Sequence, residues 1–253
     1  MLRTALRYHD LMIAREGVAH FRRETFSPPH GFSTLSMGNM SFRFREPSNG
    51  FDDTDPFRNV AENRRSVFAF LGLNSVYVVV MKPQHGTTIV EVNGESVCDT
   101  PPGDVLVTTT PGLALAICPA DCIPIFLTDS FQSFLALVHA GRVGTESRVL
   151  EKTILFLIEK GFIRDASDLL PMFGPSIRRC CYAVDLFEEN VNVLLERGVS
   201  SNNIVAPQST LCTYCSRLIS GEHSFFSHRR SSDSSGSEPQ GRFLAVAALP
   251  PMS

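Results

Sequence analysis

A series of short runs rich in Val, Ile and Leu limits this chain's choice of fold more than any other feature. They lie at 76–81, 87–92, 104–109, 113–118, 123–128 and 134–138, with another at 242–249. Several are apolar on nearly every residue. A strand with one wet face alternates apolar and polar side chains, whereas a strand without alternation is buried on both faces. Sheet layers covered by helices follow from this, rather than an exposed antiparallel sandwich. The expected class is α+β (mixed α/β) in a single domain.

The covering helices can be read as well. Asp55-Pro56 supplies an N-cap and a proline at the first helical position. Val60, Val67, Phe68 and Leu71 then share one face, and Gly72 ends the helix. A second helix is expected over 145–160, with Val149, Leu150, Ile154, Leu157 and Ile158 on its face and Gly161 beyond. A third starts at Asp185, with Glu188 completing a capping-box-like pair, and closes at Gly198. Residues 43–54, with Pro47, Asn49 and Gly50, read as a loop, and the Ser-rich segment 231–240 reads as flexible surface.

Composition narrows the function classes. With 43% hydrophobic residues the chain can bury a core, and with 19% charged residues it is not a disordered solvating protein. A net charge of -3 and the lack of a long basic stripe argue against nucleic acid as a partner. Charged residues Arg3, Arg7, Asp10 and Arg15 interrupt any signal-peptide-like run, and no stretch has the uncharged length of a membrane span. The expectation is a cytoplasmic protein without a membrane partner. Seven cysteines is an odd count. Cys212-Thr213-Tyr214-Cys215 is a lone C-x-x-C without an evident second half, so buried structural thiols are expected over a closed zinc site.

Three residues carry the chemistry. Cys122 follows Ala120-Asp121 and opens the run Ile123-Pro124-Ile125-Phe126, His139 ends Ala136-Leu137-Val138, and His85 follows Val78-Val79-Val80-Met81. Two imidazoles and a thiolate are the ligand set of an open zinc site. Gly86 and Ala140-Gly141 let the chain pass close to a ligand, and Asp121 is placed to orient a neighbour. The same Cys122 and His139 also suit a metal-free Cys–His hydrolase, with the cysteine as nucleophile. Two further constellations offer anion-binding groups. One is Gly174-Pro175-Ser176-Ile177-Arg178-Arg179, and the other is Phe226-Ser227-His228-Arg229-Arg230 with Gly241-Arg242.

In their order these motifs resemble the YfiH-type laccase-domain proteins, also labelled multicopper polyphenol oxidases and purine nucleoside phosphorylases. The resemblance spans residues 30–249. It starts at His30-Gly31-Phe32-Ser33-Thr34 and Asn39, and passes through residues 60–65, His85-Gly86 and Gly103-Asp104. Ala120-Asp121-Cys122, His139-Ala140-Gly141, Gly174-Pro175-Ser176, Cys180-Cys181-Tyr182, Cys212-Thr213 and Gly241-Arg242 follow. It implies one layered domain over 1–253 with two packed mixed β-sheets flanked by helices, a variable segment 1–29 and the flexible loop 231–240. It also implies that His85, Cys122 and His139 are the catalytic metal ligands, for zinc with copper as an alternative. Asn39, Arg142, Ser176, Arg229, Arg230 and Arg242 are the implied substrate-binding residues.

The implied partners are a purine nucleoside and phosphate, and the implied state is monomer or homodimer. The implied activities are phosphorolysis of adenosine, inosine and methylthioadenosine, with adenosine deamination. The chain departs from the pattern at Arg142-Val143-Gly144, where Trp-Arg-Gly is usual, at Pro83-Gln84 and at Ala183. These changes leave open a catalytically silent nucleoside binder. A multicopper oxidase is disfavoured by ligand count, since the chain has seven histidines and no His-x-His.

Overall fold

In a computed structural model, residues 8–10, 12–13, 17–42, 57–74, 77–98, 100–208, 211–218, 220–235 and 237–251 are described. In chain order the strands are β1 (Tyr8–His9), β2 (Met12–Ile13), β3 (Val18–His20), β4 (His30–Ser33), β5 (Val78–Val80), β6 (Lys82–Pro83), β7 (Ile89–Glu91) and β8 (Pro102–Gly103). Then come β9 (Val105–Thr108), β10 (Ala114–Ile117), β11 (Ile123–Asp129), β12 (Leu135–Ala140), β13 (Leu169–Phe173), β14 (Ala206–Pro207) and β15 (Ala245–Ala248). The helices are α1 (Phe57–Leu71), α2 (Arg142–Glu146), α3 (Val149–Glu159), α4 (Leu186–Glu196) and α5 (His228–Asp233).

The strands form a six-stranded sheet, ordered β2-β3-β4-β15-β10-β5, and a five-stranded sheet, ordered β13-β11-β12-β9-β7. Two small ribbons, β1-β14 and β6-β8, complete the pairing among the described residues. Both large sheets are mixed: β10 runs antiparallel to β15 but parallel to β5, and β9 runs antiparallel to β12 but parallel to β7.

Side-chain alternation builds the layers. Leu115 and Ile117 of β10 and Ala245 and Ala247 of β15 point inward to meet Leu106, Phe126, Leu135 and Leu137 of the other sheet. Their neighbours Ala114, Ala116, Val246 and Ala248 face α1, where Val67 and Phe68 cover them. On the far side Val105, Val107, Ile123, Ile125, Ala136 and Val138 pack under Ile154 and Leu157 of α3 and Val191 and Leu194 of α4. The inner strands of both sheets are dry on both faces, as the unalternating apolar runs predicted, while edge strand β7 carries exposed Glu91, and the mixed α+β class holds. Each large aliphatic side chain buried here contributes about 1.5–3 kcal/mol.

Several local expectations change. The helix expected over 145–160 is two helices, α2 and α3, separated at Ser147 and Arg148, where Arg148 takes a left-handed φ of 57°. The Ser-rich segment begins as helix α5, because the Ser227 side chain accepts a hydrogen bond from Arg230 N. Farther along it, Glu238 pairs with buried Arg230. Strand β13 escapes the apolar-run reading because Pro171 lies inside it, and it takes an edge position where a missing amide hydrogen is tolerated. There Val205 N donates to Pro171 O and Phe173 N donates to Val205 O, at 2.8 Å each. Pro124 lies in β11 just before its pairing with β13 begins. The loop read over 43–54 and the helix start at Asp55-Pro56 lie outside the described residues. Helix α4 is capped as expected, with Asp185 accepting from Glu188 N. No helix among the described residues is long and apolar enough to cross a membrane.

His30 shows how tightly this core holds polar groups. It is 4% exposed, its Nε2 accepts from Phe21 N at 3.0 Å, and its Nδ1 lies 2.7 Å from Pro28 O. That arrangement needs the neutral ring, and burial pulls the imidazole down from 6.5 to about 4. The unfolded chain therefore takes up this proton before the folded chain does. Stability from His30 should be full above pH 6.5 and fall by about 3 kcal/mol as pH drops toward 4. Urea unfolding across this range should show the loss, and a His30→Gln protein should lack that part of the slope.

Candidate metal centre and active site

His85, Cys122 and His139 converge. One ligand atom from each lies within 4.8 Å of the others. The two imidazole rings meet edge to face, with centroids 4.9 Å apart. Cys122 and His139 come from the rim of the five-stranded sheet, where Cys122 precedes β11 and His139 lies in β12 opposite Pro124, and His85 follows β6 of the small β6-β8 ribbon. His139 is buried, Cys122 half-buried and His85 exposed.

The backbone is strained where the site needs it. His85 has φ 60° and Asp121, just before Cys122, has φ 83°. Left-handed positions of this kind cost non-glycine residues about 1–3 kcal/mol and persist where surrounding bonds enforce them. Those bonds are present here. Asp121 accepts from Thr213 Oγ1 at 2.7 Å and from Arg229 N at 2.8 Å, and its carbonyl accepts from Ile177 N at 3.0 Å.

Asp104 is the residue that the site reading from sequence passed over. It is fully buried and aimed at both histidine segments. Its Oδ1 lies 3.1 Å from His139 Nδ1 and accepts from Gln84 N at 3.1 Å, while Oδ2 accepts from Gly86 N at 2.8 Å. One carboxylate thus sets the His139 ring, leaving Nε2 for a metal, and clamps the turn carrying His85 from both sides. Burial pushes the Asp104 carboxyl up, but the bond from His139, followed by those from Gly86 and Gln84, holds it below its usual range. The only sequence trace of this role is Gly103-Asp104 at the start of a buried strand.

Electrostatics suit a cation. Burial alone would raise the Cys122 thiol, yet hydrogen bonds with His139 and His85 outweigh it and hold the group at about 6. Burial would lower His139, and its bonds to Asp104 and Cys122 instead raise it to about 9. Space suits an ion too. A Cβ on Gly141 would stand 2.9 Å from Cys122 Sγ and 3.5 Å from His85 Cδ2, so only glycine leaves room there. A thiolate and two imidazoles, one oriented by a carboxylate, fit a three-ligand zinc site with an open position.

The trio opens onto a cavity of about 460 Å³. Its described lining includes Arg64, Lys82, Arg242, His228 and Phe42, and no carboxylate. Arg64 reaches it from α1, where its Nε donates to Met40 O at 2.7 Å and its guanidinium lies 4.6 Å from the centre of the Phe42 ring. Arg64, Lys82 and His228 were not among the expected binding residues. Surface positions on a helix or a short strand give no sign of which cavity they face.

Of the six expected substrate-binding residues, Arg242 alone lies in this lining. Asn39 is buried beside it, its Oδ1 accepting from Ser41 N and Arg242 N at 3.0 Å each, so it fixes the backbone that carries Arg242. Ser176 is buried, and its Oγ has no partner among the described residues. Arg142 is exposed on α2 and pairs with Glu146 at 2.8 Å. Arg229 pairs with Asp233 at 3.5 Å and lies over the Tyr182 ring. Arg230 departs most from an anion-binding role. It is 5% exposed, and its guanidinium donates to the carbonyls of Thr213, Tyr214 and Phe225 at 2.8 Å each. The expectation of buried structural thiols also needs correction, because Cys180 and Cys215 are exposed and only Cys212 of the C-x-x-C is buried.

Residues 29–186 match the family model described as multi-copper polyphenol oxidoreductase laccase. Among curated proteins, the chain is 33% identical over 145 residues to a purine nucleoside phosphorylase of Deinococcus radiodurans, covering 57% of this chain and 56% of that one. It is 26% identical over 166 residues to one of Rickettsia conorii, covering 66% of this chain and 64% of the relative. The chain thus spans less than two thirds of the length of either relative. The match to the purine nucleoside phosphorylase YlmD of Geobacillus stearothermophilus is longer, 28% identical over 244 residues, with 81% and 86% covered. The crystal structure of that YlmD shares the fold, with a TM-score of 0.80 at 24% identity over 96% of this chain and 99% of that one. YfiH of Bacillus licheniformis does so with a TM-score of 0.78 at 22% identity, covering 94% and 98%.

Two outcomes follow from the geometry. Asp104→Asn should weaken zinc binding by about 10–100-fold, measured by competition with a chromophoric chelator, while leaving secondary structure unchanged. Between about pH 6 and 9 the metal-free site holds a thiolate and a protonated His139, so metal uptake must expel close to one proton. Zinc affinity should then rise about tenfold per pH unit across that window, with proton release visible in calorimetry in buffers of different ionisation heat.

Proposed function

The chain belongs to the family described as multi-copper polyphenol oxidoreductase laccase, and from that premise we propose that it is a zinc-dependent purine nucleoside phosphorylase. On this reading adenosine, inosine and methylthioadenosine are cleaved by phosphate, and adenosine is also deaminated. The chain is read as one domain over 1–253, acting in the cytoplasm as a monomer or homodimer. The supporting observation is the convergence of His85, Cys122 and His139 on a cavity whose described charged walls are cationic.

His85, Cys122 and His139 would hold the ion, which would supply Lewis acidity toward a substrate oxygen or nitrogen. Arg64, Lys82 and Arg242 give an inorganic phosphate its counter-charges. Phosphate held there attacks C1′ of the ribose, the glycosidic C–N bond breaks, and its electron pair leaves with the purine. Asn39 fixes the backbone of Arg242 from behind, and Asp104 keeps His139 and the His85 turn in place through the cycle. Copper is the alternative ion. A cluster of several coppers needs more imidazoles than the two in this site, which disfavours a laccase reaction despite the family's description.

A second reading has its own support in the lowered Cys122 thiol beside a raised imidazole, the pairing of a nucleophilic cysteine and its base. It describes a metal-free Cys–His hydrolase, and chelation separates the two, because only the phosphorylase loses activity.

The test is a product assay on protein of measured metal content. Adenosine, inosine and methylthioadenosine should each yield free base and a phosphorylated sugar only when phosphate is present, and inosine arising from adenosine marks deamination. Cys122→Ala should reduce turnover to background. Arg242→Ala should raise KM for phosphate about tenfold or more, the equivalent of one charge-assisted hydrogen bond. Zinc-loaded protein giving no product from any of the three nucleosides would reject the phosphorylase in favour of a silent binder.

A further inference from the structure

The C-x-x-C at Cys212 and Cys215 has a second half in space. Cys180 and Cys181, on the segment that follows β13, meet it with all four sulfurs within 4.8 Å of one another. We propose that Cys180, Cys181, Cys212 and Cys215 form a closed, structural zinc site, separate from the His85, Cys122 and His139 centre.

The spacing favours a metal over a crosslink. A zinc–sulfur bond of about 2.3 Å in a tetrahedron sets neighbouring sulfurs about 3.8 Å apart. Cys180 and Cys215 sulfurs lie 3.7 Å apart, whereas a disulfide requires about 2.05 Å. The ligand set is complete without a water, which marks a structural rather than a catalytic site.

The surroundings are built for it. Arg178 N points at Cys212 Sγ from 3.4 Å, an outer contact that orients a thiolate and lowers its charge. Both pairs sit on tight turns: Cys181 N and Tyr182 N donate to Arg178 O, and Ser216 N donates to Cys212 O. The Arg178 side chain supplies a second, independent sign. The residue is 6% exposed, and Nη1 has no partner among the described residues. The guanidinium stacks on Phe187 at 3.9 Å and faces Asp185, Cys212 and Cys180. Four thiolates around one divalent ion carry a net charge of minus two, which would neutralise a buried cation there.

Such an ion would tie together two segments that few ladder bonds secure. In the described part of 208–227 the recorded strand-type contact is a single bridge, Arg217 with His223. Between the cysteines, Thr213 N donates to Ser176 O, Thr213 Oγ1 to Asp121 Oδ1, and Arg230 to the carbonyls of Thr213 and Tyr214. A clip at the cysteines would hold Thr213 against Asp121, the residue preceding Cys122. Its role is positioning.

The experiment is elemental analysis of the full-length protein purified under reducing conditions with zinc supplied. The wild type should carry two zinc ions per chain. Cys122→Ala should retain one, and Cys180→Ser with Cys215→Ser should retain one, at the other site. The exposed Cys180 and Cys215 should resist alkylation in zinc-loaded wild type and react after chelation, a readout that needs no variant to fold. Cobalt in place of zinc should give strong sulfur-to-metal charge transfer that persists in Cys122→Ala and weakens sharply in the Cys180, Cys215 variant. Overturning results are zinc content unchanged by the Cys180, Cys215 substitutions, rapid alkylation of both cysteines with zinc present, iron in place of zinc, or a disulfide among the four. None of these depends on phosphorolysis, so this proposal and the phosphorylase reading can fail separately.

Discussion

The buried carboxylate of Asp104 governs the reactive end of this molecule. It does not itself line the cavity, yet it receives His139, the amide before His85 and the amide after it. A fully buried carboxylate left without partners would be expensive, and here every contact favours its charged form. The strand β9 that begins beside it is an interior strand of its sheet, paired on both sides between β7 and β12, so the carboxylate inherits the rigidity of the core. Two histidines far apart in sequence are therefore set by one acid on a framework that does not give way.

The architecture explains why the reactive groups gather at a rim. Two sheets face each other across a dry interior, and helices close their outer faces. Polar chemistry has no room within such a stack. It belongs where strands end and loops begin, and Cys122 and His85 are there, with His139 at the last turn of its strand. The two left-handed residues nearby, His85 and Asp121, keep their conformations because neighbouring segments hold them with specific hydrogen bonds.

Much of this was legible in the residues alone, for identifiable reasons. Runs without polar alternation report burial on both faces, and that rule located seven strands and implied the covering helices. The Asp185 cap and the glycines after α1 and α4 mark helix ends through local chemistry. What escaped was non-local or hidden by one residue. Pro171 obscured β13, and a left-handed Arg148 divided a helix whose apolar face reads as continuous. Arg230 looks like a solvent-facing cation until the fold buries it among carbonyls. The meeting of Cys180 and Cys181 with a distant C-x-x-C depends on hydrogen bonds at Thr213 and Ser176 that no spacing rule encodes. Asp104 shares that fate, since its role exists only once three strands are assembled.

The proline in β13 has a further effect on how molecules of this kind meet each other. An outermost strand normally offers a row of unpaired amides to any chain that drifts past. Here Pro171 has no hydrogen to donate, and Val205 already occupies both Pro171 O and Phe173 N. Little of that margin is left to template a neighbour. The five-stranded sheet is thus guarded on this side against zipping up with another copy, a defence against aggregation that also shelters a strand packed against the buried core.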